Sequence, residues 1–344
     1  MDGHQLKLDP AVMVRDSSKL NDFQKCPRYF FFRHILGWTS DQPNIHLEFG
    51  TAIHLGMEKL MEGLTNSHYP IECVRQAIDA FKNHYLKHFS IEEEGQWSPK
   101  NLSNGSLALE QYCEHYNGSE NFEVLYTEVA GSVPISEYEF LHFKMDTICR
   151  GAEGIFSIDH KTSSRDSTQW RRQFDLSLQM SAYTHALKCI FPNEPVFGMK
   201  VNGILLRKTG NGFIRLPIQK NDEHLLSWLF DIQYILKELD WNFDQLMECK
   251  EGDQILESFP RRTDSCTQYG VCPYLDLCAA WVNPLRSADS PPLGMTTNFW
   301  NPRSHDKEAK YLLKDGAMLL NKERVEPEVV ERKELSSADF PFPT

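Results

Sequence analysis

No apolar run in this sequence reaches the roughly 20 residues that a membrane-spanning helix needs. The opening stretch Met1-Asp2-Gly3-His4-Gln5-Leu6 also holds no apolar segment of the secretory kind. The expectation is a soluble, intracellular (cytoplasmic) protein with no membrane partner. A basic excess is missing too: 36 Lys and Arg stand against 48 Asp and Glu, for a net charge of -12. This argues against a surface coated in positive charge, but not against a local basic channel, which needs only enough cations to neutralise a few phosphates. The phosphate-binding loop G-x-x-x-x-G-K-[ST] occurs nowhere, so these 344 residues carry no P-loop motor. Nor is the composition that of a disordered chain, since 41% of residues are hydrophobic and 12% aromatic. The length suits one large domain with insertions or two ordinary ones. Nine cysteines are present; in a reducing compartment they are expected as free thiols, either small buried hydrophobes or metal ligands.

Residues 1–16 show no strong period. From Ser18 onward Leu20, Phe23, Pro27, Phe30 and Phe31 mark one side of a helical segment. It breaks near Cys26-Pro27 and runs into a basic and aromatic stretch, Arg28 to His34. A second helix is predicted over Leu47–Glu62 with Gly63 as its stop, because Phe49, Ile53, Met57, Leu60 and Met61 recur at three- and four-residue spacing. Gly50 and His54, four apart, lie one above the other on a neighbouring strip. A histidine beside an apolar face is commonly a satisfied core residue, but the small Gly50 one turn earlier leaves room for a ligand or a backbone. Further helices are predicted over 70–89 and 105–117, separated by a polar loop, with Cys73 and Cys113 as packing residues.

The period then changes to two. Strands are predicted over Phe122–Val129, Phe140–Cys149 and Gly154–Thr162, the last two joined through Arg150–Gly154 as a hairpin. An antiparallel meander sets Asp146 beside Asp159. On a strand Asp159 and Lys161 share one face while His160 points the other way. A carboxylate beside an ammonium at the end of an apolar run meets the needs of a metal-dependent phosphodiesterase. The acid holds a hard cation, and the amine stabilises charge or helps to deprotonate a water. The same residues would also describe an ordinary ion pair on a strand, a reading that a second acid on the adjacent strand makes harder to sustain. Residues 163–175 read as a polar loop bearing Arg165, Arg171 and Arg172. A helix over Leu176–Ile190 places Gln179 and Tyr183 at i and i+4. A hairpin of Val196–Leu206 and Phe213–Ile218 follows, then a long helix from Asn221-Asp222-Glu223 through Trp241 with Leu225, Leu229, Ile232, Leu236 and Leu239 facing inwards.

Cys266, Cys272 and Cys278 recur every six residues around Gly270 and Pro273. Three thiols so close together point to metal ligation, with packing as the alternative. Three is one short of a tetrahedral set, and Cys26, also followed by proline, is the best candidate for the fourth. After Trp281 the composition loosens. Residues 285–344 are expected as a loosely ordered tail with a short helix around Glu308–Leu320.

The ordered set Cys26, Gly50-x3-His54, Asp146, Asp159-x-Lys161, Gln179-x3-Tyr183 and Cys266/Cys272/Cys278 resembles the RecB-like branch of the PD-(D/E)XK nucleases. It is most similar to members with an iron–sulfur cluster, such as CRISPR-associated adaptation nucleases and the nuclease domains of recombination helicase–nucleases. The resemblance runs from about Ser18 to Ala280. It implies an α/β (α+β) fold with a restriction-endonuclease-like core, a central mixed sheet flanked by helices. The nuclease domain would span residues 1–284, with a helical cluster subdomain built from about 18–45 and 250–284. Implied roles are Mg²⁺ or Mn²⁺ binding by His54, Asp146 and Asp159, with the His160 backbone carbonyl as a further ligand. Lys161 would orient the attacking water and stabilise the pentavalent phosphate, while Gln179 and Tyr183 would position Lys161 and the DNA strand. Cys26, Cys266, Cys272 and Cys278 would hold a [4Fe–4S] cluster, with Zn²⁺ as the alternative at the same site. The C-x5-C-x5-C spacing departs from the shorter first gap of many relatives.

The activity implied is that of a metal-dependent DNA nuclease, an exonuclease on DNA ends or single strands in repair, recombination or replication. It would act alone or beside a helicase or recombination partner protein, with Arg171, Arg172 and Tyr183 along the DNA path. Glu128 is not assigned to the site. The alternative is a non-catalytic DNA-end or partner-binding module on the same fold, against which the complete set of acids, base and histidine speaks.

Overall fold

Both faces of a central sheet carry apolar side chains, and helices cover each of them. The computed structural model describes residues 8–268, 270–305, 311–314 and 317–320. Its first half runs α1 (Ser17–Lys25), α2 (Pro27–Phe30), β1 (Trp38–Ser40), α3 (Ile45–Gly63), α4 (Ile71–Tyr85), α5 (Leu102–Tyr116), β2 (Phe122–Pro134), β3 (Phe140–Gly151) and β4 (Gly154–Ser163). The second half runs α6 (Thr168–Arg172), α7 (Leu178–Ile190), β5 (Val196–Leu205), β6 (Gly212–Ile218), α8 (Asp222–Glu248), α9 (Leu275–Ala280), β7 (Met295–Thr297), β8 (Tyr311–Lys314) and β9 (Ala317–Leu320). Short polar side chains open the helices by accepting backbone N–H groups that have no partner within the helix: Asp16 at α1, Asn44 at α3, Asn101 at α5, Ser177 at α7 and Asn221 at α8.

The five-stranded sheet has the order β2-β3-β4-β5-β6. Neighbours are antiparallel except β4 and β5, which are parallel and joined by a crossover through α7. This is the mixed α/β architecture, helices on a central mixed sheet, that the sequence predicts. On one face α3, α4 and α5 bring Phe49, Ile53, Met57, Phe81, Tyr85 and Tyr112 against Cys149, Phe156 and Ile158. On the other, α1, α2, α7 and α8 pack on Leu141, Phe143, Met145, Met199 and Val201.

Several elements differ from expectation. Helix α5 starts at Leu102 because Asn101 caps it, and α8 continues to Glu248, burying Asn242 and Leu246. Within the predicted loop 163–175, Ser167 caps the short α6. Its Trp170 lies where Gly203 has no side chain; a Cβ there would come within 2.5 Å of the indole. The helix expected around Glu308–Leu320 is corrected: its described residues form β8 and β9, paired antiparallel from Tyr311–Leu320 to Lys314–Ala317. The intervening Asp315-Gly316 is a dipeptide that favours a two-residue hairpin over a continuous helix. Residues 308–310 and 315–316 of that expected helix lie outside the described residues. Strand β7 returns to pair with β1, so residues 295–297 lie against the N-terminal part of the chain. Among the described residues no helix is long and apolar enough to cross a membrane.

Helices α1 and α2 meet the end of α8 and the segment after it around Phe259. Its ring contacts Phe23, Phe30, Phe31 and Phe243 at centroid distances of 6.3, 5.9, 6.0 and 5.4 Å. The 256–260 segment belongs to neither helix nor sheet, so its buried carbonyls need donor partners from elsewhere. Arg28 provides them. Its buried guanidinium donates to the Phe259 carbonyl at 2.9 Å and to those of Leu256 and Ser258 at 3.4 Å. Replacing it by Met keeps the apolar stem but strands these carbonyls. Urea unfolding of Arg28→Met is expected to show a loss of about 2–4 kcal/mol; a loss below about 1 kcal/mol would contradict this role for Arg28.

Candidate active site

The β3–β4 ladder runs from Gly151–Gly154 to Thr147–Ile158 and stops. At its closed end, Gly154 takes φ +107°, and a Cβ there would lie 2.2 Å from the Pro195 carbonyl oxygen, so only glycine fits this turn. At the open end the strands part into a fork. The His160 N–H, which a continued ladder would direct to a β3 carbonyl, donates instead to Asp146 Oδ2 at 2.8 Å. Meanwhile β4 stays paired with β5 through Asp159–Val201, His160–Asn202 and Lys161–Gly203. One side of the fork is therefore fixed while the other is open. The His160 carbonyl leaves the same edge as its N–H, so it too faces the gap.

His54, Asp146, Asp159 and Lys161 gather at this fork. His54 Nδ1 on α3 lies 3.2 Å from Asp146 Oδ2, and Lys161 Nζ lies 2.7 Å from Asp159 Oδ2. Gly50, one turn before His54, has nothing within 4 Å of where a Cβ would stand, so this strip of α3 is open. Burial works to raise the Asp146 pKa, but the charge and hydrogen bond of His54, with the charge of Lys161, outweigh it and hold the carboxyl well below the usual range. Burial, reinforced by the charge of Asp146, pushes Asp159 up against the pull of Lys161. Burial would lower His54 and Lys161, yet the two acids raise both, so each keeps its proton more firmly than in water. Two carboxylates thus share cations in one buried space.

Tyr183 and Gln179 join the same group from α7. Gln179 Nε2 donates to the Tyr183 hydroxyl at 2.9 Å. Burial, then the negative charges of Asp159 and Asp146, drive the phenol pKa well above its ordinary value, so Tyr183 is a neutral donor facing the acids. Glu128, not assigned from the sequence, sits in β2 at φ +48° between the Thr127–Thr147 and Val129–Met145 pairs. Burial and repulsion from Asp146 raise its pKa, while Lys144 holds it at 2.5 Å. Arg171 and Arg172 lie on α6, paired with acids of their own segment: Arg171 binds Asp166 through two 2.6 Å contacts, and Arg172 lies 3.0 Å from Asp175.

Behind the fork, the His160 imidazole points to the opposite face, as strand alternation requires. Asn202 Nδ2 donates to its Nδ1 at 2.8 Å and to the Tyr112 hydroxyl at 3.2 Å. Arg215 then ties Tyr112 to the buried Glu120, with contacts of 2.8 Å to the hydroxyl and 2.6 and 2.9 Å to the carboxylate. These residues position His160 and hence the β4 backbone. They carry no spacing signal, because Asn202 becomes a partner only through the parallel β4–β5 register.

The four cysteines expected as a set come together near the chain ends. Cys26 sits at the α1–α2 junction, where its Sγ accepts the Arg262 N–H at 3.3 Å. Burial raises the Cys278 thiol to about 11 and also raises Cys272; Cys278 feels the charges of Cys26 and Cys272, and Cys272 those of Cys266 and Cys26. Among the described residues no three of these sulfurs lie within 4.8 Å of one another.

Burial pushes His160 down to about 3 from an ordinary value of 6.5. The unfolded chain therefore binds one more proton than the folded protein between those limits, and stability falls as pH drops through that window. With His160→Gln, the decline in unfolding free energy between about pH 6 and 4 is expected to be shallower by up to about 1.4 kcal/mol per pH unit. Urea titrations at several pH values check this, and equal slopes for the two proteins would contradict it.

Comparison with known proteins gives one family. The family model for the PD-(D/E)XK nuclease superfamily matches residues 17–279. Among solved structures, one described as "Crystal structure of SSO0001" is similar at 16% identity and a TM-score of 0.29, covering 66% of this chain and 94% of that chain. No match was found among curated proteins. The matched span holds the fork, its acids and lysine, and all four grouped cysteines. The chain belongs to the PD-(D/E)XK nuclease superfamily.

Proposed function

We propose that the β3–β4 fork is the active site of a metal-dependent DNA nuclease. The observation that carries this reading is the gathering of His54, Asp146, Asp159 and Lys161 where the ladder opens. The donor set suits Mg²⁺ or Mn²⁺: two carboxylates and the His160 carbonyl offer hard oxygen atoms, with a single imidazole beside them. A bound ion would supply Lewis acidity at a phosphodiester and a water of lowered pKa. Asp146, Asp159 and His54 would bind that ion, His54 releasing the proton it shares with Asp146 as the cation takes that proton's place.

Lys161 keeps its proton and stands at the mouth of the fork, where its charge can meet an oxygen of the scissile phosphate. Tyr183 donates from the α7 side, braced by Gln179. Trp170 seats α6, which carries Arg171 and Arg172, over Gly203, the register partner of Lys161. That placement supports a DNA backbone path past Tyr183 and α6. The finer reading is an intracellular exonuclease on DNA ends or single strands, serving repair, recombination or replication alone or beside a helicase or recombination partner protein.

For the cysteines we favour a [4Fe–4S] cluster. Buried Arg28 leaves Nη1 without a partner, and Cys278, Cys26 and Cys249 act on its charge. An anionic thiolate cluster would answer that donor. Cys249 was not part of the expected set; it closes α8 close to Arg28.

Two measurements test this reading. Asp159→Asn and Lys161→Gln are made and their folding verified by thermal unfolding, since removing one partner of a buried pair costs about 3–5 kcal/mol. Mn²⁺-dependent degradation of end-labelled DNA should fall to background in the first and by about 10²–10³-fold in the second. Unchanged cleavage in both would sink the assignment, and DNA binding without cleavage by the unaltered protein would favour a non-catalytic module. Anaerobically purified protein should be brown, absorb broadly near about 400 nm and contain iron; colourless protein with stoichiometric zinc would refute the cluster.

A further inference from the structure

The α3–α4 hairpin carries a second group of metal-binding character. Phe49 near the start of α3 packs on Phe81 and Tyr85 at the end of α4, with ring centroids 5.4 and 6.3 Å apart. That packing fixes the neighbouring Glu48 opposite His84 in the last turn of α4 and His88 in the turn just past it, where the His88 N–H bonds the Tyr85 carbonyl. Glu48 Oε2 lies 2.9 Å from His84 Nε2 and 3.4 Å from His88 Nε2, and the three donor atoms all fall within 4.8 Å of one another. The imidazoles stand 5.0 Å apart, both presenting Nε2 to the same carboxylate oxygen. The side chains of His84 and Glu48 are mostly buried, at 17% and 21% exposure, while His88 at 34% faces outward.

We infer that Glu48, His84 and His88 form a site for a divalent transition metal of the zinc class. Two imidazoles and a carboxylate are a three-ligand zinc set with the fourth position open to water. Tetrahedral ligands at zinc distances stand about 3.4 Å apart, and the two Glu48 contacts of 2.9 and 3.4 Å are already close to that spacing. Nitrogen donors select zinc over the hard Mg²⁺ and Mn²⁺ suited to the oxygen-rich fork, which separates the two sites chemically. The metal staples the end of α4 to the start of α3, the helix that also carries His54. An interhelical ion pair is the competing account.

Zinc itself is the probe. The whole protein, His88→Asn, Glu48→Gln and the control Asp159→Asn are equilibrated with zinc sulfate, desalted and assayed for zinc and iron. Circular dichroism confirms folding, and His88 is exposed enough for its variant to keep the fold. The unaltered protein and Asp159→Asn are expected to retain one zinc per chain more than His88→Asn and Glu48→Gln, with iron equal in all four. Added zinc should raise the melting temperature of the first two and leave the latter two unmoved. Equal zinc content and equal thermal response in all four proteins would overturn the site and leave an ordinary ion pair.

Discussion

Where β3 parts from β4, the His160 N–H would be left without an acceptor, and an unpaired buried donor costs about 1–3 kcal/mol. Asp146 accepts it through Oδ2 at 2.8 Å, so a carboxylate takes the place of a backbone carbonyl where the strands diverge. This bond lets the sheet open without a loose edge. It also fixes one acid at the mouth of the opening, where His54 reaches it from α3. Asp159 and Lys161 need no such device, because the parallel pairing of β4 with β5 holds their backbone.

The two faces of β4 then do different work. Toward α7, Asp159, Lys161 and Tyr183 form a charged and hydrogen-bonding space in which cations and acids hold one another's protonation states. Toward α5, the His160 ring is kept neutral by burial and anchored through Asn202 to the Tyr112–Arg215–Glu120 group. Strand alternation separates these environments by a single residue, so a slip of one position in the β4 register would exchange them.

Much of this was legible in the sequence. Period-two alternation marked β3 and β4, and their short link made Asp146 and Asp159 neighbours. The i, i+4 rule joined Gln179 to Tyr183. What stayed hidden depended on contacts distant in sequence. Asn202 acquires its partner only through a parallel register, and Arg28 only because the 256–260 carbonyls come to lie beside it. The α6 turn rests on a glycine gap in β5 that no local pattern announces. The Glu48–His84–His88 group joins two helices whose antiparallel packing must be known first. The β8–β9 pair is different, since Asp315-Gly316 is a local turn signal within the stretch expected as a helix.

Phe259 and Arg28 bind the first helices to the segment after α8, and these elements brace the layer that backs the fork. The central claim is that Asp146, Asp159 and His54 converge on one divalent ion. Anomalous X-ray scattering from crystals soaked in Mn²⁺ tests it most directly. A manganese peak within bonding distance of both carboxylates and of His54 is the predicted result. A peak only at other groups, with the fork free of manganese at saturating concentration, would contradict the account.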